Sequence, residues 1–114
     1  MKKIVTFDAT GKKLGRLASE IAMALQGKNE PTYERHVLEN IEVRVTNASK
    51  MDLAARMDRG YKSYSGYPGG LRIEKAGRLQ ERKGTKALLQ HAVSGMLPKN
   101  THRSRLLLCL VVEE

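Results

Sequence analysis

The order of the segments along the chain predicts an α/β domain with a small, mainly parallel sheet. Apolar residues at helical spacing between Leu14 and Leu25 follow a short apolar strand and precede another. Near the end, Leu106 to Val112 is an almost continuous apolar run, which is typical of a strand buried on both faces. With 114 residues, the chain has the length of one domain, which we expect to span residues 1–114.

The first half of the sequence predicts a strand, a helix and a second strand. Residues 4–7 form the first strand, and residues 8–11 have the composition of a turn. The helix over 14–25 ends before Gly27, which is expected at the left-handed position that terminates helices. Residues 41–46 alternate apolar and polar side chains, which predicts a strand with one wetter face, either at the sheet edge or lying over a partner.

The second half predicts shorter elements around a glycine-rich loop. Its predicted elements are a weak helix at 50–59, a short strand at 61–64, a loop at 65–70, and helices at about 73–83 and 85–96. Thr85 is the expected N-cap of the last helix. Residues 98–105 are expected to form a loop that leads into the apolar strand.

The charge balance indicates a polyanionic partner. Lys and Arg number 21 against 12 Asp and Glu, which gives a net charge of +9. Such a charge favours nucleic acid or an anionic membrane surface as partner. The sequence contains no apolar run of the length that a membrane-spanning helix requires, and its N-terminus lacks a signal or transit pattern. Because Cys109 has no second cysteine to pair with, we expect a reducing, cytoplasmic compartment.

Catalytic and cofactor motifs are weak. Gly11-Lys12 resembles the end of a phosphate-binding loop, but Thr6 stands where the first glycine is required and Lys13 where Ser or Thr is required. The glycines at 66, 69 and 70 do not have dinucleotide-binding spacing. The histidines, at positions 36, 91 and 102, lack the paired spacing of a zinc site. We therefore expect no cofactor and no metal.

Two residues are possible catalytic groups. Asp8 ends the first strand, where α/β enzymes often place such groups, but no base or nucleophile accompanies it, and a turn-forming aspartate is favoured. Cys109 lies in the apolar run, where an inert, buried thiol is the favoured interpretation.

The basic segments are stronger candidates for a functional site than these two residues. They predict an RNA-binding surface. Positive residues surround the start of the first helix, where free backbone N–H groups favour phosphate. The loop segment offers hydroxyls, tyrosine and glycine for contacts with bases and phosphates, although a tight turn whose tyrosines fill the core is the alternative, for Tyr61 above all. Residues 99–105 are too polar to pack inside. The candidates are Lys12, Lys13, Arg16, Lys62, Ser65, Tyr67, Gly69, Lys99, Asn100, His102, Arg103 and Arg105.

Four stretches resemble, in order, those of one known family. They are Phe7-Asp8-Ala9 with Leu14-Gly15-Arg16-Leu17-Ala18-Ser19 and Gly27-Lys28; Val45-Thr46-Asn47-Ala48; Ser65-Gly66-Tyr67-Pro68-Gly69-Gly70; and Ala92-Val93-Ser94-Gly95-Met96-Leu97-Pro98-Lys99-Asn100. Together they resemble the family of large-subunit ribosomal protein number 13, in its bacterial form. Because the stretches span nearly the whole chain in register, the resemblance is specific.

The resemblance implies a three-layer α/β/α domain with a small four-stranded, mainly parallel sheet. It implies a structural constituent of the large ribosomal subunit that binds large-subunit ribosomal RNA, supports early subunit assembly, lies beside other large-subunit proteins and catalyses nothing. Lys28 is a further RNA-binding candidate, because the Gly27-Lys28 pair is part of the first stretch that resembles the family. The implied location is a cytoplasmic ribosome, with an organellar ribosome left open, and no homo-oligomer is expected.

The chain also departs from the family pattern. The departures are Asn40-Ile41, Tyr64 and His102-Arg103-Ser104, where the family usually has Gly-Asp, His and Leu-Gly-Arg. We expect the arginine contact near the last of these to move to Arg103 or Arg105. The chain ends at Glu113-Glu114 without the family's usual C-terminal tail, which predicts a trimmed, divergent member.

Two other functions remain open from the residues alone. One is a small enzyme that acts on a nucleotide or RNA through Asp8 or a histidine. The other is a free RNA-binding regulator, which would use the same surface as a ribosomal protein.

Overall fold

A computed structural model describes residues 2–38, 40–53 and 59–113. Its elements are β1 (Lys3–Asp8), α1 (Leu14–Gln26), β2 (Ile41–Thr46), a 3-10 turn (Ala48–Lys50), β3 (Gly60–Tyr64), β4 (Leu71–Lys75), α2 (Ala76–Lys83), α3 (Thr85–Met96), α4 (His102–Leu108) and β5 (Leu110–Val112). Strands and helices are mixed along the chain, so the predicted α/β class is confirmed. Of the weak helix expected at 50–59, residues 54–58 lie outside the described residues.

The parallel sheet is built around β2. Its order is β1-β2-β5, with Val5 opposite Val43 and Val43 opposite Leu110. The edge position considered for β2 is therefore wrong, because this strand has a neighbour on both sides. Within the described residues the parallel sheet has three strands and the remaining two form a separate antiparallel pair, so the four-strand count is not confirmed.

The two faces of β2 lie in different environments. Val43 and Val45 are fully buried and belong to the core beneath α1. On the opposite face Arg44 is exposed, and on β1 Ile4 keeps 53% of its surface exposed. The wetter face predicted from the alternating sequence is thus confirmed.

Helix α1 supplies the largest part of the core. Its fully buried side chains include Leu17, Ile21 and Leu25, which share one face at intervals of four residues. The helix ends as predicted, with Gly27 in the left-handed region at φ 75°. The Gly27 N–H donates to the Ala24 carbonyl and the Lys28 N–H to that of Met23, which satisfies the last turn.

The glycine-rich loop connects an antiparallel hairpin. Strands β3 and β4 pair from Gly60 opposite Lys75 to Tyr64 opposite Leu71. The strand predicted at 61–64 is confirmed, but the helix predicted at 73–83 begins only at Ala76. Local sequence favoured a helix for 73–75, and pairing with β3 overrides that preference. The Glu74 carboxylate accepts two hydrogen bonds from Arg82, at 3.0 and 2.8 Å, and this ties β4 to α2.

Two helix boundaries differ from the sequence-based expectation. Gly84, not Thr85, is the N-cap of α3, and Thr85 is buried within the first turn, where its hydroxyl accepts a hydrogen bond from Gln80. The expected long strand at 106–112 is wrong as well. Residues up to Leu108 belong to α4, and β5 is only three residues long. A short apolar run fits a half-buried helix as well as a buried strand, so periodicity does not separate them.

The boundary of α4 is testable with two leucines of the same helix. Leu106 is 7% exposed and Leu108 is 84% exposed, whereas in a strand the two would share a face. We expect Leu106→Ala to lower the free energy of unfolding by about 2 kcal/mol or more, and Leu108→Ala to change it by less than about 0.5 kcal/mol. Urea unfolding monitored by circular dichroism measures both. Equal losses would restore the strand interpretation.

Candidate nucleic-acid interface

The predicted RNA-binding residues fall into three groups, which the fold places on different parts of the surface. One group surrounds the start of α1, a second lies on the β3–β4 hairpin, and a third combines the end of α1 with the α3–α4 connection. The 13 residues of α1 span about 20 Å, so the first and third groups are held that far apart by a rigid helix.

The first group consists of exposed cations at the start of α1, where the first turn contains no acidic residue. Lys12, Lys13 and Arg16 are all exposed, and the first turn of α1 contains no Asp or Glu. The Lys12 ammonium lies 3.5 Å from the Glu20 carboxylate and 5.9 Å from the centre of the Phe7 ring. Positive side chains at this end oppose the helix dipole, and a bound anion would relieve that repulsion.

The strand-to-helix turn that carries these cations is fixed to the neighbouring strand connection. The Gly11 N–H donates to the Lys50 carbonyl at 3.0 Å, and the Asp52 N–H donates to the Lys12 carbonyl at 3.0 Å. Lys13 also forms an isolated parallel bridge with Asp52. The backbone under the basic side chains is therefore held in place on both sides.

The second group lies on β3 and in the loop of the hairpin. Tyr67 keeps 76% of its surface exposed, and Lys62 and Ser65 are exposed as well. Gly66 and Gly69 adopt φ values of 90° and 75°, a region that glycine enters without strain. The Ser65 hydroxyl accepts a hydrogen bond from the Tyr67 N–H, which shapes the loop from within.

Tyr61 lies at the other end of β3 and behaves differently from the loop tyrosine. Its ring packs 4.5 Å from the ring of His91 on α3, and it is half-buried against the core. The interpretation of Tyr61 as the core tyrosine is confirmed, while Tyr67 faces solvent.

The third group combines residues from distant parts of the sequence. Lys28, Asn100 and His102 line one cleft of about 340 Å³. Asn100 shapes the connection, because its side-chain oxygen accepts a hydrogen bond from the His102 N–H at 3.0 Å. Since α4 begins at His102, the expected loop at 98–105 is partly wrong: His102, Arg103 and Arg105 lie on a helix. Lys99 and Arg105 are exposed, and Arg103 is half-buried.

Most of the residues that line this cleft were not among the sequence candidates. Those whose side chains are suited to contact RNA include Gln26, Tyr33 and Arg35. Tyr33 is a lone aromatic in a segment without periodicity, and nothing local distinguishes Arg35 from a solvated arginine. Only the packing of residues 26–38 beside the α3–α4 connection brings them to the site.

Asp8 acts as a structural residue at the end of β1. One of its carboxylate oxygens accepts hydrogen bonds from the Thr10 N–H at 3.0 Å, the Thr10 hydroxyl at 2.8 Å and the Asn47 side-chain amide at 3.2 Å. The hydrogen bond from the Thr10 backbone, followed by those from the Thr10 and Asn47 side chains, lowers the pKa of Asp8 below 3.8. The favoured interpretation of Asp8 as a turn-forming aspartate is confirmed.

The other candidates for chemistry are dispersed. Cys109 is half-buried and follows the last turn of α4, so the buried strand position expected for it is wrong. Over residues 2–38, 40–53 and 59–113, no group of three or more His, Cys, Asp or Glu side chains is placed to hold a metal ion. In the same residues, no helix combines the length and apolarity needed to cross a membrane.

An α/β domain that carries basic residues on a helix start, a glycine-rich hairpin and a polar connection is typical of a nucleic-acid-binding protein. The family model described as Ribosomal protein L13 matches residues 2–112. The chain therefore belongs to the ribosomal protein L13 family, and the resemblance seen in its motifs is confirmed.

Curated relatives carry the name "Large ribosomal subunit protein uL13". The protein of Caldanaerobacter subterraneus subsp. tengcongensis is 48% identical over 101 residues, which cover 87% of this chain and 70% of the relative. That of Oenococcus oeni is 49% identical over 96 residues, 82% of this chain and 64% of the relative. That of Syntrophus aciditrophicus is 47% identical over 102 residues, 88% and 71% of the two chains.

The structural role of Asp8 predicts a specific pH dependence. Because its folded pKa is lowered, the carboxylate stabilises the fold above its unfolded pKa of about 3.8, and this contribution is lost as pH falls through the folded value. We expect Asp8→Asn to be less stable than the parent chain at pH 6, with the gap narrowing below pH 3.8. Thermal unfolding of both chains across this pH range measures the gap. A gap that does not change with pH would contradict the assigned role.

Proposed function

We propose that this chain is a structural constituent of the large ribosomal subunit that binds large-subunit ribosomal RNA and supports early subunit assembly. Family membership carries the proposal, and it confirms the prediction of a ribosomal protein rather than an enzyme. The ribosome is accordingly its location in the cell. The hydrogen bonds that occupy Asp8 remove the main support for a catalytic role.

The proposed mechanism is phosphate neutralisation by cations on three separate parts of a rigid domain. Proteins bind nucleic acid largely through phosphate contacts, each of which releases condensed counterions. The proposed contacts are Lys12, Lys13, Arg16, Lys28, Lys62, Ser65, Tyr67, Gly69, Lys99, Asn100, His102, Arg103 and Arg105. Their separation favours an RNA that passes over several faces of the domain, with other large-subunit proteins as neighbours. This fits an assembly protein, which must hold RNA segments in a fixed relative arrangement.

The finer architecture is also part of the proposal. We treat residues 1–114 as one domain, supported by the core cluster that joins the parallel sheet to α1, α3 and α4. A third layer is supported by the open face of the sheet, whereas the fourth strand is proposed on the family resemblance alone. On the open face Ile4 and Val111 are 53% and 37% exposed, and a further layer would cover them.

Sucrose-gradient sedimentation of extract from cells that express the chain tests the location directly. We expect the chain to migrate with large subunits after low magnesium has separated the two subunits, and to remain there through a moderate salt wash. A chain found only in the light fractions would contradict the ribosomal role and favour a free RNA-binding regulator.

The phosphate contacts are tested by the salt dependence of binding to purified large-subunit ribosomal RNA. We expect Lys99→Gln and Arg105→Gln each to weaken binding and to reduce the slope of log affinity against log salt by about 0.7 to 0.9, since each variant neutralises one phosphate fewer. Arg44→Gln is the matched control, because the Arg44 side chain already donates to the Glu42 carboxylate at 2.8 Å. Slopes equal to that of the parent chain for both site variants would exclude this connection from the interface.

A further inference from the structure

The cleft between residues 26–38 and the α3–α4 connection has features that phosphate neutralisation does not use. Its volume of about 340 Å³ is at the lower end of the range for small-ligand pockets, roughly 300–1,000 Å³. We propose that this cleft holds one unstacked nucleotide of the bound RNA, with the base inside and the phosphate at the rim. The inference rests on the proposed function and adds a base-binding site to it.

The floor and walls of the cleft are suited to the flat surface of a base. Leu38 and Leu106 contribute apolar surface, and both pack with the hydrophobic core, so this surface is held in place. Tyr33 adds a half-buried aromatic ring. Proteins that recognise single-stranded RNA stack bases on such rings.

Polar groups in the same cleft match the edge of a base. Because the side-chain oxygen of Asn100 already accepts a hydrogen bond from the His102 N–H, its NH₂ group is the part of the amide that would donate to a ligand. Gln26, at the last turn of α1, contributes a second side-chain amide to the lining. Amides of this kind donate to and accept from the hydrogen-bonding edge of a base.

Cations complete the match to a nucleotide. Lys28 and Arg35 line the cleft and are exposed, where a phosphate at the rim would contact them. The lining also contains Glu34, whose carboxylate lies 3.3 Å from the His36 Nε2 atom. A bare phosphate would leave the apolar floor unused, and an aliphatic ligand would leave the amides unused. A nucleotide uses all three kinds of group.

Backbone hydrogen bonds hold in place the segment that carries Tyr33. The Glu30 N–H donates to the Gly27 carbonyl, the Tyr33 N–H to that of Glu30, and the Val37 N–H to that of Glu34, at 3.0 to 3.3 Å. On the other side, the Asn100 N–H donates to the Pro98 carbonyl at 3.0 Å. The cleft is thus shaped by two series of turns rather than by side chains alone.

The test is a titration of the full ¹⁵N-labelled chain with AMP, GMP, CMP and UMP, observed by NMR, with inorganic phosphate as the control ligand. We expect saturable shifts at the amides of Leu38, Asn100 and Leu106 with at least one nucleotide and not with phosphate. Tyr33→Leu should weaken that binding about fivefold or more, since stacking of one base contributes about that factor or more, while Tyr33→Phe should retain it.

Two further variants test whether the nucleotide binds in the cleft or elsewhere on the surface. Asn100→Asp keeps the oxygen that accepts from His102 but replaces the donor group, and we expect weaker nucleotide binding by a folded chain. Tyr64→Leu removes an exposed tyrosine of the hairpin that is not among the proposed RNA contacts, and we expect unchanged mononucleotide affinity. Shifts produced equally by phosphate, or undiminished in Tyr33→Leu, would overturn the base-binding assignment.

The outcomes also separate this inference from the proposed function. If no mononucleotide shifts the cleft amides while the chain still sediments with large subunits, the base-binding site is wrong and the ribosomal role stands. If a nucleotide binds the cleft but the chain is absent from large subunits, the cleft assignment stands and the ribosomal role is wrong.

Discussion

The structure depends on the burial of one face of α1 against β2. The helix places its leucines and Ile21 on valines of the central strand, and burial of each large aliphatic side chain contributes about 1.5–3 kcal/mol before entropy is counted. β1 and β5 pair with the two edges of β2, and α3 packs on α1. The β1–α1–β2 unit therefore positions the other described elements of the core. Each of them packs on this unit directly or through one element that lies between.

This unit also fixes the positions of the charged surface. The cations before and within the first turn of α1 and those after its last turn are attached to opposite ends of the same buried helix. The termination at Gly27 gives Lys28 a defined place at the rim of the cleft, since the Lys28 N–H is itself part of the helix end. Flexible tails would supply the same charge without fixing its geometry, whereas a rigid arrangement suits a protein that holds RNA in one conformation.

A net charge of +9 on a domain of this size is unfavourable for the isolated protein. The fold reduces the repulsion locally, through ion pairs such as Arg44 with Glu42 and Arg82 with Glu74. The hydrogen bonds between Arg82 and Glu74 lower the pKa of the carboxyl group and raise the pKa of the guanidinium. Under the proposed function, RNA phosphates would neutralise the cations at the start of α1 and on the α3–α4 connection.

The α/β class, the first strand, α1 with its terminal glycine, the loop at 65–70 and the family could all be predicted from the sequence. These features depend on local periodicity, on glycine at left-handed positions, or on motifs that survive in order along the chain. That residues 73–75 form a strand could not be predicted from local sequence, because this state depends on pairing with β3. The short apolar run at 106–112 was likewise divided between α4 and β5 by packing.

The candidate site shows the same division. Lys28, Asn100 and His102 were identifiable from motifs and charge, but their meeting in one cleft was not, since it requires α1 and the α3–α4 connection to be adjacent in space. Tyr33 and Arg35 carried no local signal at all. Sequence reveals which residues have the chemistry to bind RNA, whereas packing between distant segments decides which of them act together.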